Sequence, residues 1–320
     1  MYAQTKGENM QELQKQLEEI LESCRSYTNM GRVADYIPEL ASANRDDIGI
    51  CVSIPSESEY GGIWHAGDWE KQFTIQSICK PILLLQAIID NGTDYVKEHV
   101  GMEATGKPFN AIDYSEHLLL REHINPMVNI GAIAVCGMIK ADSDQERFEK
   151  ILSMLKRITG DPDLAVDERV FNSERETGNK NRALAYLLKS SGMLSGDAES
   201  LLEVYFAMCS IKVSCRDLAA VALLLAMHGK DAEGRQVIPE DAARMLNAVL
   251  TTSGMYDGSG EFAATVGVPA KSGVGGGIMA VVPGRMGIGI YSPGLDKKGN
   301  SVAGVKMLER LSREMNLSIF

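Results

Sequence analysis

Strand-like runs occur only near the two ends of this chain, and the long stretch between them carries helical periodicity throughout. Ile48 to Ile54 reads as a strand stopped by Pro55-Ser56, with Glu59 to Ala66 as its hairpin partner. Pro269 to Ser272, Gly277 to Val282 and Met286 to Tyr291 are three more short β-like runs, separated by glycine-rich and Pro-Gly turns. Outside them lie two amphipathic helices. Asn9 to Tyr27 carries Leu13, Leu17, Ile20 and Leu21, and Asn300 to Met315 carries Val302, Val305, Leu308 and Leu311. The middle predicts helices over Ser77 to Asn91, Val128 to Val135, Glu146 to Ile158, Asn181 to Leu188, Ala198 to Ser210, Arg216 to His228 (capped by Ser214) and Pro239 to Leu250. The economical assembly is one antiparallel sheet built from both chain ends and flanked by the terminal helices. A helical domain is inserted between its second and third strands. The expected class is thus α/β plus all-α: a sheet-containing domain of residues 1–70 and 260–320, a helical domain of 71–259, and an active site between them.

A chain of 320 residues is long enough for one large or two ordinary domains. Its net charge of −11 argues against nucleic acid and anionic membranes, both of which call for a basic face. No apolar run approaches the ~20 residues of a membrane span. The polar N-terminal helix does not read as a signal peptide, so a cytoplasmic location is expected. Cys24, Cys51, Cys79, Cys136, Cys209 and Cys215 contain no Cys-x-x-Cys pair, mostly sit in apolar runs, and read as reduced core residues.

Gln76-Ser77-Ile78-Cys79-Lys80-Pro81 opens the first helix of the middle region. Proline is tolerated only in a first turn, so Pro81 puts Ser77 at the N-terminal end, where backbone N–H groups are free. Lys80 stands one turn on, on the same side. Two readings fit. One is an N-cap serine followed by a surface lysine. The other is a nucleophile whose proton a neighbouring amine removes. Pro269-Ala270-Lys271-Ser272-Gly273-Val274-Gly275-Gly276-Gly277 bears on the choice. It leads into a strand, whereas a phosphate-binding glycine loop should lead into a helix. A plain glycine turn remains open. So does a third possibility, since Lys-Ser/Thr-Gly on an edge strand downstream of Ser-x-x-Lys is the pairing of penicillin-recognising enzymes. There the strand supplies a backbone N–H to an oxyanion hole. Both motifs come in the right order on the right elements, which favours the catalytic reading.

Other chemistry is poorly supported. His65, His99, His117, His123 and His228 lack metal-site spacing, and ordinary surface histidines explain His117 and His123. No Gly-x-Ser-x-Gly elbow exists for a Ser-His-Asp triad. Cys79 has no evident base, and packing explains it better. Glu174 and Glu176 alone read as helix-start charges. Tyr205 alone reads as core. Tyr256, in the glycine-flanked Gly254-Met255-Tyr256-Asp257-Gly258, has little packing reason to be there.

In combination these segments resemble the serine-dependent glutaminases. The resemblance rests on Val33 to Pro38, Gln76 to Lys80, Asn125 to Asn129 with Gly131 to Ile133, Asn172 to Glu176, Asn181, Tyr205 with Cys209-Ser210, Gly254 to Tyr256, Pro269 to Val274, and Asp296-Lys297 with Gly299 to Ser301. They span about Gly31 to Leu311. The resemblance implies a β-lactamase-like fold and hydrolysis of L-glutamine to L-glutamate and ammonia, with no metal or cofactor. It implies Ser77 as nucleophile, Lys80 as its base and Tyr256 as a relay to the leaving ammonia. The N–H groups of Ser77 and Val274 would form the oxyanion hole, and Tyr36, Asn129, Glu174, Asn181 and Tyr205 would hold substrate. A homodimer or homotetramer is implied as well. The alternatives are another penicillin-recognising-type serine amidohydrolase and a non-catalytic glutamine-binding member. For Lys80 to act as a base it must be neutral, so burial or Lys271 must lower a pKa that is ordinarily about 10.4.

Overall fold

The computed structural model describes residues 2–106, 108–112 and 124–320, which leaves His117 and His123 outside the described residues. The helices are α1 (Tyr2–Cys24), α2 (Cys79–Asn91), α3 (Thr93–Lys97), α4 (Asn129–Met138), α5 (Asp144–Thr159), α6 (Glu168–Thr177), α7 (Asn179–Ser190), α8 (Ala198–Cys209), α9 (Cys215–Ala226), α10 (Glu240–Ser253), α11 (Ser259–Thr265) and α12 (Val302–Met315). The strands are β1 (Gly49–Ile54), β2 (Gly62–Gly67), β3 (Phe73–Thr74), β4 (Lys212–Val213), β5 (Ala270–Ser272), β6 (Gly277–Val282) and β7 (Met286–Tyr291).

The main sheet runs β2-β1-β7-β6-β5 and is antiparallel throughout. The sheet from both chain ends is therefore present, and its seam is the β1–β7 pairing of Val52 with Ile288 and Ile50 with Ile290. One face, with Ile50, Val52, Ile278, Ile288 and Ile290, packs on Leu17, Ile20 and Leu21 of α1 and on Met307, Leu308 and Leu311 of α12. On the other face Cys51, Met279, Val281 and Tyr291 join the core of the helical region. The alternation Met286-Gly287-Ile288-Gly289-Ile290 builds both faces at once, because side chains two apart share a face. The isoleucines point to the terminal helices. The glycines leave room for the α9 backbone: a Cβ on Gly289 would lie 2.0 Å from Cys215 O. Thus α9, predicted as one more helix of the middle region, lies directly on the sheet. Ser214 caps it in a full capping box with Asp217, as its sequence suggests.

Two features of the middle region differ from the sequence expectation. Phe73–Thr74 pairs with Lys212–Val213 in a separate two-stranded ribbon, which is too short to leave a periodic signal. Glu174 is not at a helix start. α6 is capped by Asp167, and Glu174 is its seventh residue, buried at 6% exposure. Among the described residues, no helix is long and apolar enough to cross a membrane.

Candidate active site

Ser77 is the middle residue of a 3-10 turn, Gln76–Ile78, that runs straight into α2. It does not cap the helix: Ile78 is the N-cap, with no side-chain cap bond. Pro81 is the third residue of α2, where the missing N–H costs nothing. Lys80 is not a surface lysine but fully buried. Both parts of the cap-and-surface reading therefore fail on geometry. Gln76, just before Ser77, has φ +49°, a left-handed backbone that is uncommon for any residue but glycine.

The loop after β5 lies across this turn. Gly275 permits that approach, since a Cβ there would stand 2.5 Å from Thr74 O. Close passage places Val274 beside the turn, and its N–H has no backbone acceptor among the described residues. The N–H of Ser77 precedes the first acceptor-paired N–H of its turn, that of Ile78 to Ile75 O, and is likewise a free donor.

A cavity of about 290 Å³ opens over Ser77. Six of the nine expected site residues line it: Tyr36, Ser77, Asn129, Glu174, Asn181 and Tyr205. Lys80, Tyr256 and Val274 lie behind that lining. Tyr256 and Val274 share a small apolar cluster with Ile37 and Phe109, which do reach the cavity. Tyr36 stands at the mouth, half exposed.

Lys80 Nζ donates to Met127 O at 3.0 Å and to Asn129 Oδ1 at 2.8 Å. These two acceptors use the two N–H bonds of a neutral amine and leave its lone pair. Burial lowers the Lys80 pKa to about 8, while Cys79, Cys209 and Glu174 act in the opposite sense. Asn129 Nδ2 passes the network on to Asn181 Oδ1 at 2.9 Å, so the Asn181 NH₂ group remains a donor. Glu174 is pushed up to about 7 by burial, offset by the nearby Gln76 side chain and by Lys80. Its Oε1 is buried without a partner among the described residues. Burial of an unpaired carboxylate oxygen is costly, so such an oxygen favours a cation or a strong donor beside it.

Tyr256 has φ +52° and packs its ring against Phe109 at 4.7 Å between centroids. Its Oη is buried without a formed hydrogen bond among the described residues. Burial pushes the phenol pKa up, and the nearby Ser77 side chain draws it only partly back. Cys79 and Cys209 face each other with 3.8 Å between sulfurs. That contact, with burial, holds the Cys209 thiol well above its usual range, which makes it a poor nucleophile. All six cysteines are buried and unbridged.

Gln76, Phe109 and Cys209 also reach the cavity, though sequence reasoning gave them no role. Gln76 adjoins Ser77 and Cys209 lies four residues after Tyr205, and that adjacency is the signal the sequence offers. Phe109 had none.

Comparison with known proteins agrees with this geometry. The family model described as glutaminase matches residues 31–320. A glutaminase of Clostridium tetani is 48% identical over 309 residues, 96% of this chain and 100% of that one. A glutaminase of Clostridioides difficile is 49% identical over 95% of this chain and 97% of its own. The crystal structure of a probable glutaminase from Bacillus subtilis superposes with a TM-score of 0.88 at 39% identity, covering 97% of this chain and 98% of the other. A covalent complex of a Bacillus subtilis glutaminase with 5-oxo-L-norleucine, formed from 6-diazo-5-oxo-L-norleucine, gives 0.87 at 39% identity, over 96% and 99%. The architecture is the β-lactamase-like fold of these neighbours. With sequence and structure matched along almost their full lengths, and the Ser77 chamber inside the matched region, this chain belongs to the glutaminase family of amidohydrolases.

Proposed function

We propose that the chain hydrolyses the side-chain amide of L-glutamine to L-glutamate and ammonia through an acyl-enzyme on Ser77. The observation that carries this reading is the fully buried Lys80, one turn from Ser77, with a pKa lowered to about 8. An amine so placed is neutral in a useful fraction at neutral pH and takes the Ser77 proton as Oγ attacks the amide carbon. The N–H groups of Ser77 and Val274 receive the oxyanion, each such donor being worth roughly 3–4 kcal/mol of barrier. The Tyr256 hydroxyl hands a proton to the departing ammonia, and water then cleaves the ester by the reverse route. Glu174 Oε1, buried and unpartnered, takes the substrate ammonium. The spare donors of Asn181 and Asn129, with Tyr36 and Tyr205, take the carboxylate without an added positive charge.

The site then sits between a sheet-bearing and a helical part of the chain. A cytosolic homodimer or homotetramer completes the reading. The unbridged cysteines support a reducing compartment, and light scattering of the purified protein tests the assembly.

Ammonia release from glutamine and asparagine, beside the colour change that accompanies ring opening of nitrocefin, tests the activity. Glutamine turnover is expected, with kcat/KM rising as pH climbs through about 7 and about 8, because Glu174 and Lys80 must both lose a proton. Activity on nitrocefin alone, or calorimetric glutamine binding without ammonia, overturns the reading.

A further inference from the structure

Lys271 is fully buried, yet it is absent from the lining of the substrate cavity. Its contacts show where it acts. Its Nζ donates to Ser272 O at 2.6 Å and to Gly254 O at 3.1 Å. Its remaining side faces the Tyr256 ring, 4.4 Å from the centroid. Packed there, the amino group limits where the ring can sit, and in its protonated form it is also attracted by the π electrons.

The two carbonyls are not arbitrary. Gly254 is the C-cap that follows α10 and stands two residues before Tyr256. Ser272 ends β5, and its own N–H also reaches Gly254 O, at 3.1 Å. Lys271 thus fastens the end of a helix to the end of a strand and rests on the side chain that this junction delivers. β5 needs little such help, since its ladder pairs Ser272 with Ile278 and Lys271 with Met279. Tyr256 needs more. Its backbone is left-handed, and its hydroxyl, beside the Ser77 side chain, has no well-formed hydrogen bond among the described residues. What fixes the segment is a set of contacts around it. Ser259 Oγ accepts from Met255 N and donates to Tyr256 O, at 3.0 and 2.9 Å. Asn300 Nδ2 donates to Met255 O at 3.1 Å, and Phe109 covers part of the ring. Among these, Lys271 touches both the backbone before the tyrosine and its ring.

We propose that Lys271 is a positioning residue for the reaction: by clamping Gly254 O and Ser272 O and seating its amino group on the Tyr256 ring, it aims the Tyr256 hydroxyl at the leaving group. This rests on the proton-relay role given to Tyr256 above.

A double-mutant cycle tests it, with Lys271→Met and Lys271→Gln each made in the native and the Tyr256→Phe backgrounds. Tyr256→Phe alone is expected to lower kcat by about 100-fold or more with a smaller change in KM. Lys271→Met in the native background should lower kcat by about 30-fold or more, with KM within about threefold. In the Tyr256→Phe background the same change should cost less than about threefold, because the group it aims is already gone. Equal losses in the two backgrounds make Lys271 a strut of the fold and overturn the proposal. A loss mainly in KM, or none, overturns it too. Lys271→Gln keeps a donor for the carbonyls and carries the same cycle if Lys271→Met does not fold. If Tyr256→Phe leaves kcat unchanged, the relay role itself is wrong, and the positioning role goes with it.

Discussion

Ser77→Ala is expected to lower glutamine turnover by about 10⁴-fold or more while leaving the fold and its melting temperature nearly unchanged. Both halves of that expectation come from the same local structure. The Ser77 side chain caps nothing, since the helix N-cap is Ile78, so its loss removes no fold-defining contact. The backbone N–H groups of Ser77 and Val274, the proposed oxyanion donors, survive the substitution, but no hydroxyl remains to attack. Steady-state ammonia release and a thermal melt check the two halves. A residual rate above about a hundredth of native would remove Ser77 from the nucleophile's role, given how much a nucleophile contributes.

Lys80→Met should be comparably damaging to turnover, by about 10³-fold or more, yet its effect on stability should run the other way at neutral pH. Burial lowers the Lys80 pKa from 10.5 to about 8 in the folded protein. Below about pH 8 the lysine is protonated in both folded and unfolded chains, and the folded state bears the full cost of the buried charge, about 3 kcal/mol. Between about pH 8 and 10.5 the unfolded chain still holds the proton that the folded one has released, so native stability recovers as pH rises. Methionine has no such cost, although it leaves Met127 O and Asn129 Oδ1 without their donor, at about 1–3 kcal/mol. The stability of Lys80→Met relative to native should therefore be greatest below pH 8 and decline by about 3 kcal/mol by pH 10.5. Denaturant titrations across that range check it. A difference that does not vary with pH would mean that Lys80 is not held at a lowered pKa, and the argument for its being a base would fail.

Much of the architecture was legible because it is periodic. The terminal helices and the strands around Val52, Ile278 and Ile288 carry clear apolar spacing, and the split sheet followed from their order. The Ser77–Lys80 and Lys271–Gly273 motifs were legible for a different reason, since each needs particular residue types at fixed spacing. What the sequence hid was environment. Glu174 carries the same letter whether it complements a helix dipole or lies buried with an unpartnered oxygen. Lys80 and Lys271 are the residue type least expected in a core, and nothing local marks either as buried. The seat of α9 on β7 depended on reading Gly287 and Gly289 as the bare side of a strand, which is plain only once the partner helix is known. The β3–β4 ribbon, two residues per strand, lies below any period that a sequence can express.

The central claim is that glutamine passes through an ester on Ser77. Acid-quenching the enzyme during turnover and locating the acyl group by peptide mass spectrometry tests this directly. The expected result is a glutamyl ester on the peptide containing Ser77, abolished by Ser77→Ala and sharply reduced by Lys80→Met. A thioester on Cys79 or Cys209, or ammonia release with no acyl-enzyme at any pH, would contradict it.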